Sequence, residues 1–223
     1  MYPHRIKAVI FDNDGTLVDS EEAYSKAHHI STGQPLTWDL KVRLMGKTLL
    51  EACQITVDEC HLDETAEHYG ERFEKVLDGL MPNLNLMPGV MEMLKILKSK
   101  GVRMCIATAS TERSFKKKVA GHPEMIEMMD HCFTGDQVAH GKPAPDLFLK
   151  ALHEWNGIKP EEALVFEDSP LGIKAANNAG IPAVFVPDPN LNQEEALKKL
   201  DAKPLMTIES LEKFDYSLFS WGF

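Results

Sequence analysis

The stretch Lys7-Ala8-Val9-Ile10-Phe11-Asp12-Asn13-Asp14-Gly15-Thr16 decides the fold. Four consecutive apolar residues without alternation suit a strand buried on both faces of a parallel sheet, and the run stops abruptly at a carboxylate. Three further runs of the same kind lie downstream: Val102–Ala107 before Thr108, Ala163–Phe166 before Glu167-Asp168, and Ala183–Val186 before Pro187. Helical periodicity separates them. Val90–Lys100 is closed by Gly101, Asp146–Asn156 by Gly157, and Ser169–Asn178 has Pro170 in its first turn and Gly180 beyond its end. Strands alternating with helices predict an α/β fold, a doubly wound parallel sheet of Rossmann-like type.

The interval 17–85 breaks this rhythm, with amphipathic stretches at Leu49–Thr56 and Glu64–Leu80 and few strand-like runs. It reads as an α-helical insertion after the first strand, large enough to form a lid or cap domain, with 1–16 and 86–223 forming the catalytic core.

Composition narrows the function classes. The 223 residues carry 24 Lys+Arg against 34 Asp+Glu, a formal net charge of −10. That balance gives no electrostatic footprint for nucleic acid or an anionic membrane. No apolar stretch approaches the ~18 residues of a membrane span, and the start of the chain carries no signal-peptide pattern. A cytoplasmic protein acting as a monomer is expected, with Cys53, Cys60, Cys105 and Cys132 as small buried residues in a reducing compartment.

In open α/β sheets ligands bind at the carboxyl ends of the strands, and three of the four runs end there in groups suited to phosphoryl chemistry. Asp12 and Asp14 place two carboxylates at i and i+2, with Gly15 permitting a tight turn. Such a pair repels, so the site raises a pKa or binds a divalent cation. Taken alone, an Asp-x-Asp-Gly segment is equally an ordinary turn. Thr108 offers a hydroxyl at a strand end. Lys142 supplies a charge able to hold phosphate, and Glu167 and Asp168 bring the oxygen donors that a hard ion such as Mg²⁺ requires.

Asp12-Asn13-Asp14-Gly15-Thr16, Thr108, Lys142 within Gly141-Lys142-Pro143-Ala144-Pro145-Asp146, and Glu167-Asp168 resemble, in order, the four signatures of the haloacid dehalogenase superfamily. Thr37–Lys41, Leu44-Met45-Gly46-Lys47, Leu86–Val90, Ser114-Phe115-x-x-Lys118 and Phe166–Gly172 extend the likeness to pseudouridine-5′-phosphatases and related sugar-phosphate phosphatases. The resemblance implies a Mg²⁺-dependent phosphatase acting on a small phosphorylated metabolite. Asp12 would be the nucleophile, and Asp14 the acid and base. Thr108, Ala109, Ser110 and Lys142 would hold the phosphate. Asp12, Asp168 and the Asp14 backbone carbonyl would be metal ligands, with Glu167 behind them.

Asp14 favours phosphate esters over carbon–halogen bonds, because only an alcohol leaving group needs an acid. A sugar- or glycerol-phosphate phosphatase, a phosphoglucomutase-type phosphoryl transferase and a non-catalytic phosphometabolite-binding protein are the competing readings.

Two departures stand out. Asn13 replaces an apolar residue and should point away from the site, and Ala27–Pro35 is abbreviated. In the insertion, Lys47 is the candidate substrate contact. His28 and His29 read as surface residues, Trp38 as a core anchor, and Lys116–Lys118 as a solvated helix face.

Overall fold

A computed structural model describes residues 1–44 and 49–223. In chain order the elements are β1 (Arg5–Ile6), β2 (Ala8–Phe11), α1 (Ser20–Thr32), α2 (Trp38–Leu44), α3 (Leu49–Glu59), α4 (Ala66–Leu80), α5 (Val90–Ser99), β3 (Arg103–Ala107), α6 (Glu112–Lys118) and α7 (Pro123–Ile126). Then follow β4 (His131–Phe133), α8 (Asp146–His153), β5 (Ala163–Glu167), α9 (Pro170–Asn178), β6 (Ala183–Phe185), α10 (Gln193–Leu200), β7 (Met206–Thr207) and β8 (Ser220–Trp221). All four apolar runs are strands. They occupy the interior of a six-stranded parallel sheet of order β4-β3-β2-β5-β6-β7. Pairing Phe11 with both Ile106 and Phe166 brings the carboxyl ends of β2, β3 and β5 side by side.

The lack of alternation in these runs has a direct cause. Ala8, Ile10, Cys105, Ala107, Ala163 and Val165 belong to a core on one face that also takes in Leu147, Phe148 and Leu152 of α8 and Ala175 and Ala176 of α9. The residues between them, Val9, Phe11, Met104, Ile106, Leu164 and Phe166, are equally buried, and Phe11 stacks on Phe166 at 5.4 Å. Both faces are covered, so the interior positions of these strands are apolar on both sides, with Arg103 and Glu167 only at strand ends.

The chain divides into two compact units, Met1–Asp19 with Asn85–Phe223, and Ser20–Leu84. The expected insertion bounds of 17–85 shift accordingly. Leu17 and Val18 are fully buried, and Val18 bridges to both Asp14 and Leu86, so 17–19 belong with the sheet, as does Asn85, whose carbonyl accepts from the Asp19 N–H.

The second unit is helical: α1 and α3 pack on α4, and α2 packs on α3. Cys53, Val57, Ala66 and Tyr69 form its core, with Phe73 stacked on Tyr69 at 5.7 Å. His28 is not a surface residue. It is buried on α1 with Nε2 3.9 Å from Cys60 Sγ, and burial lowers its pKa. His29 is exposed, as expected. Trp38 is only half-buried and carries Lys41 Nζ 4.8 Å from its ring centroid, so the anchor of that segment is Leu40, 4% exposed. Lys47 lies outside the described residues. Among the described residues no helix is long and apolar enough to cross a membrane. Cys53, Cys60 and Cys105 are buried free thiols, and Cys132 is half-buried.

Candidate active site

The site assembles where β2, β3 and β5 end. Asp12 follows β2 directly, its N–H donating to Phe166 O at 3.0 Å, which fixes its backbone between the two neighbouring strands. Gly15 then turns the chain with φ +77°. A Cβ there would fall 2.2 Å from Asp168 Oδ2, so glycine serves the turn and also lets the Asp168 carboxylate approach the β2 loop. Thr16, buried beside it, donates weakly to Asp168 Oδ1 at 3.5 Å.

Lys142 binds the acidic groups together. Its Nζ donates to Asp12 Oδ1 at 2.5 Å, to Glu167 Oε1 at 2.7 Å and to Ala107 O at 3.2 Å, and it lies 4.9 Å from the Phe148 ring centroid. Burial works against the ammonium, but Asp12 and Glu167 more than offset it and raise its pKa. Asp12 is pushed up to about 7 by burial; Lys142 opposes the shift, and Glu167 and Asp14 add to it. Asp168 is raised well above the usual carboxylate range, first by burial and then by Glu167 and Asp12.

Glu167 has both oxygens engaged. Oε1 accepts from Lys142, and Oε2 accepts from the Ser169 N–H at 2.7 Å and the Ser169 hydroxyl at 3.0 Å. The same hydroxyl caps α9 by accepting from the Gly172 N–H, which ties the carboxylate to the helix start. A Cβ on Gly172 would lie 1.7 Å from Glu167 Oε1; only glycine leaves room for this side chain.

On the other side of Asp12, β3 delivers Thr108, whose N–H donates to Phe133 O, and Ser110, whose N–H donates to Thr108 Oγ1. Asp14 Oδ2 accepts from the Ser110 hydroxyl at 3.0 Å and, at 3.4 Å, from the Thr108 hydroxyl. Ala109 between them is exposed, and its carbonyl packs where a Cβ on Gly135 would stand. The structure thus brings together Asp12, Asp14, Thr108, Ser110, Lys142, Glu167 and Asp168.

It also adds Lys118. The expectation of a solvated Lys116–Lys118 face holds for Lys116, which is exposed and paired with Glu112 at 2.6 Å, and fails for Lys118. Lys118 is 4% exposed, and its Nζ lies 2.5 Å from Asp14 Oδ1. The helical period explains the split, since Lys118 falls three residues after buried Phe115 on the inward face of α6.

Oxygens of Asp12, Glu167 and Asp168 lie within 4.8 Å of one another, a group able to hold a metal ion. The fit is good on chemistry as well as distance. All donors are hard carboxylate oxygens, and four carboxylates against the ammonium groups of Lys142 and Lys118 leave an excess of negative charge that a divalent cation would offset.

A family model described as haloacid dehalogenase-like hydrolase matches residues 6–180. The chain is similar to a (DL)-glycerol-3-phosphatase of Arabidopsis thaliana, at 38% identity over 84% of this chain and 82% of that protein. It is also similar to a Drosophila melanogaster protein assigned as a pseudouridine-5′-phosphatase, at 36% identity over 86% of each. A solved structure from Thermotoga maritima, provisionally assigned as a beta-phosphoglucomutase, superposes with a TM-score of 0.79 at 32% identity, covering 93% of this chain and 96% of that one.

Proposed function

The chain belongs to the haloacid dehalogenase-like hydrolases and is a phosphoric monoester hydrolase, and from that premise we propose that it is a Mg²⁺-dependent phosphatase of small phosphorylated metabolites working through an aspartyl-phosphate on Asp12. The observation that carries this reading is the placement of the Asp12 carboxylate. It lies at the end of the central strand, held by Lys142 at 2.5 Å, with Glu167 and Asp168 beside it.

In the first step an Asp12 carboxylate oxygen bonds to phosphorus while the bond from phosphorus to the substrate oxygen breaks. Asp14 gives its proton to that oxygen, so the alcohol leaves neutral. In the second, water attacks phosphorus, its proton passes to Asp14, and the electron pair of the Asp12–phosphorus linkage returns to Asp12. Inorganic phosphate is released and both carboxyl groups are restored. Thr108 supplies a hydroxyl, and Lys142 an ammonium, to the phosphoryl oxygens, while the Ser110 hydroxyl stays on Asp14. Mg²⁺, held by Asp12, Asp168 and the Asp14 carbonyl, would supply positive charge to the same oxygens. Glu167, with both oxygens already accepting hydrogen bonds, orients Lys142 and stands behind the ligands.

The glycerol-3-phosphatase and pseudouridine-5′-phosphatase relatives are named for substrates whose phosphate sits on a primary alcohol of a small polyol or sugar. We assign this chain the same substrate class, with pseudouridine 5′-phosphate and glycerol 3-phosphate as the first candidates. The phosphoryl-facing residues meet only what all such esters share. We therefore assign the choice among them to the helical unit, as its cap function, with Lys47 the residue to test there.

Purified protein is to be offered pseudouridine 5′-phosphate, glycerol 3-phosphate, FMN and deoxyhexose 6-phosphates, with Mg²⁺ and with EDTA. Phosphate release that needs Mg²⁺ is expected. Isomerisation of glucose 1-phosphate without net release would instead support the mutase reading.

A further inference from the structure

Lys118 is a buried cation that the reaction above does not use. Its ammonium, at the last turn of α6, donates to Asp14 Oδ1 at 2.5 Å and to Ser110 Oγ at 2.9 Å. Ser110 Oγ in turn donates to Asp14 Oδ2 at 3.0 Å. The three groups close a ring in which both oxygens of one carboxylate are held from one side.

Burying an ammonium costs several kcal/mol unless it is paired with good geometry. A lysine committed in this way to a half-exposed aspartate therefore acts on that aspartate, where an ordinary surface ion pair would contribute little. Lys118 is also placed by rigid structure. Thr111 caps α6 by accepting from the Ser114 N–H, and Phe115 anchors the helix in the core.

We propose that Lys118 is a positioning residue for Asp14. Directly and through the Ser110 hydroxyl, it fixes the carboxyl group in the orientation from which the proton reaches the departing alcohol oxygen. The inference rests on the reading of Asp14 as the acid, and it separates Lys118 from Lys142. Lys142 holds the nucleophile, whereas Lys118 holds the proton donor.

Leaving groups of different quality test this. The alkoxide of glycerol 3-phosphate needs a proton to depart, whereas p-nitrophenolate departs without one. kcat/KM reports the steps through alcohol release, and both esters then share the same second step. Both are to be assayed with wild type, Lys118→Met, Lys118→Arg, Asp14→Asn and the double variant Asp14→Asn/Lys118→Met, with thermal melts to establish folding.

Lys118→Met is expected to lower kcat/KM for glycerol 3-phosphate about a hundredfold, the low end of what a positioned acid contributes, and to change that for p-nitrophenyl phosphate less than about threefold. Lys118→Arg should recover part of the loss. The double variant should be no worse on the alkyl ester than Asp14→Asn alone, because a positioning residue has nothing left to position.

Equal losses on both esters would place Lys118 on the phosphate and overturn the proposal. So would a full further loss in the double variant. If Lys118→Met fails to fold, Lys118→Arg is read by the same ratio, and a wild-type ratio together with an unchanged alkyl rate overturns the proposal. Asp14→Asn losing both esters alike would overturn the acid assignment itself, and the inference with it.

Discussion

Lys142 Nζ lies 2.5 Å from Asp12 Oδ1, with the two side chains only 6% and 8% exposed. A buried pair of this kind is weak evidence for stability but strong evidence of dependence, because without the ammonium the Asp12 carboxylate is a stranded charge. Glu167, at 2.7 Å and 1% exposed, shares the same ammonium, so one lysine compensates two buried carboxylates.

Lys142→Met should therefore destabilise the protein by about 3–5 kcal/mol at pH 8. The loss should shrink at pH 5, where Asp12 takes up a proton and needs no partner. Chemical denaturation at the two pH values measures the difference; equal losses would mean that the stranded charges are not its origin.

The metal-free site should also shape the pH dependence of the whole fold. Asp12 has its folded pKa raised to about 7 from an ordinary value near 3.8, chiefly by burial. A raised folded pKa contributes stability that is fully present below the unfolded pKa and lost as pH rises through the folded one. The metal-free protein should thus lose stability between about pH 4 and pH 7, and a bound cation should restore it by favouring the ionised form. Mg²⁺ affinity should fall at least about tenfold for each pH unit below 7, since the raised pKa values of Asp12 and Asp168 mean that at least one proton must leave before the cation binds. Calorimetric Mg²⁺ titrations at several pH values test this. Asp168→Ala should weaken binding at every pH while leaving metal-free stability unchanged or slightly higher, because its raised pKa reflects first its burial and then crowding with Glu167 and Asp12.

The interior strands and the first carboxylate pair were legible because buried parallel strands need uninterrupted apolar runs, and their ends are where ligands bind. β4 and β7 were not. As the edges of the sheet they need less apolar surface, and His131-Cys132-Phe133 and Met206-Thr207 carry no run to read. Lys118 escaped for a different reason: three consecutive lysines look like a solvated face, yet a helix turns only one of them inward. His28 is hidden in the sequence because periodicity on α1 is weak around a polar core position. Asn13 points to a local conflict. It is fully buried, and among the described residues its amide finds no hydrogen-bond partner, where the family pattern has an apolar side chain.

Gly172 tests how tightly the second row of the site is built. A methyl group there would stand 1.7 Å from Glu167 Oε1, inside the carboxylate it must clear. Gly172→Ala should push Glu167 off Lys142 and lower kcat/KM at least about tenfold, roughly 1.4 kcal/mol in barrier. It should also lower the melting temperature, although alanine is the better helix former by about 1 kcal/mol. A more stable and fully active variant would show that Glu167 is free to move without consequence.

If the Asp12 carboxylate attacks phosphorus, phosphate release should collapse in Asp12→Asn. The amide is nearly isosteric and still accepts a hydrogen bond from Lys142, so the fold should persist, but it is too weak a nucleophile. A loss of at least about a thousandfold on every phosphate ester, roughly 4 kcal/mol in barrier, is expected in a protein whose melting curve remains cooperative. Retention of more than about a tenth of wild-type activity would contradict a covalent mechanism at Asp12.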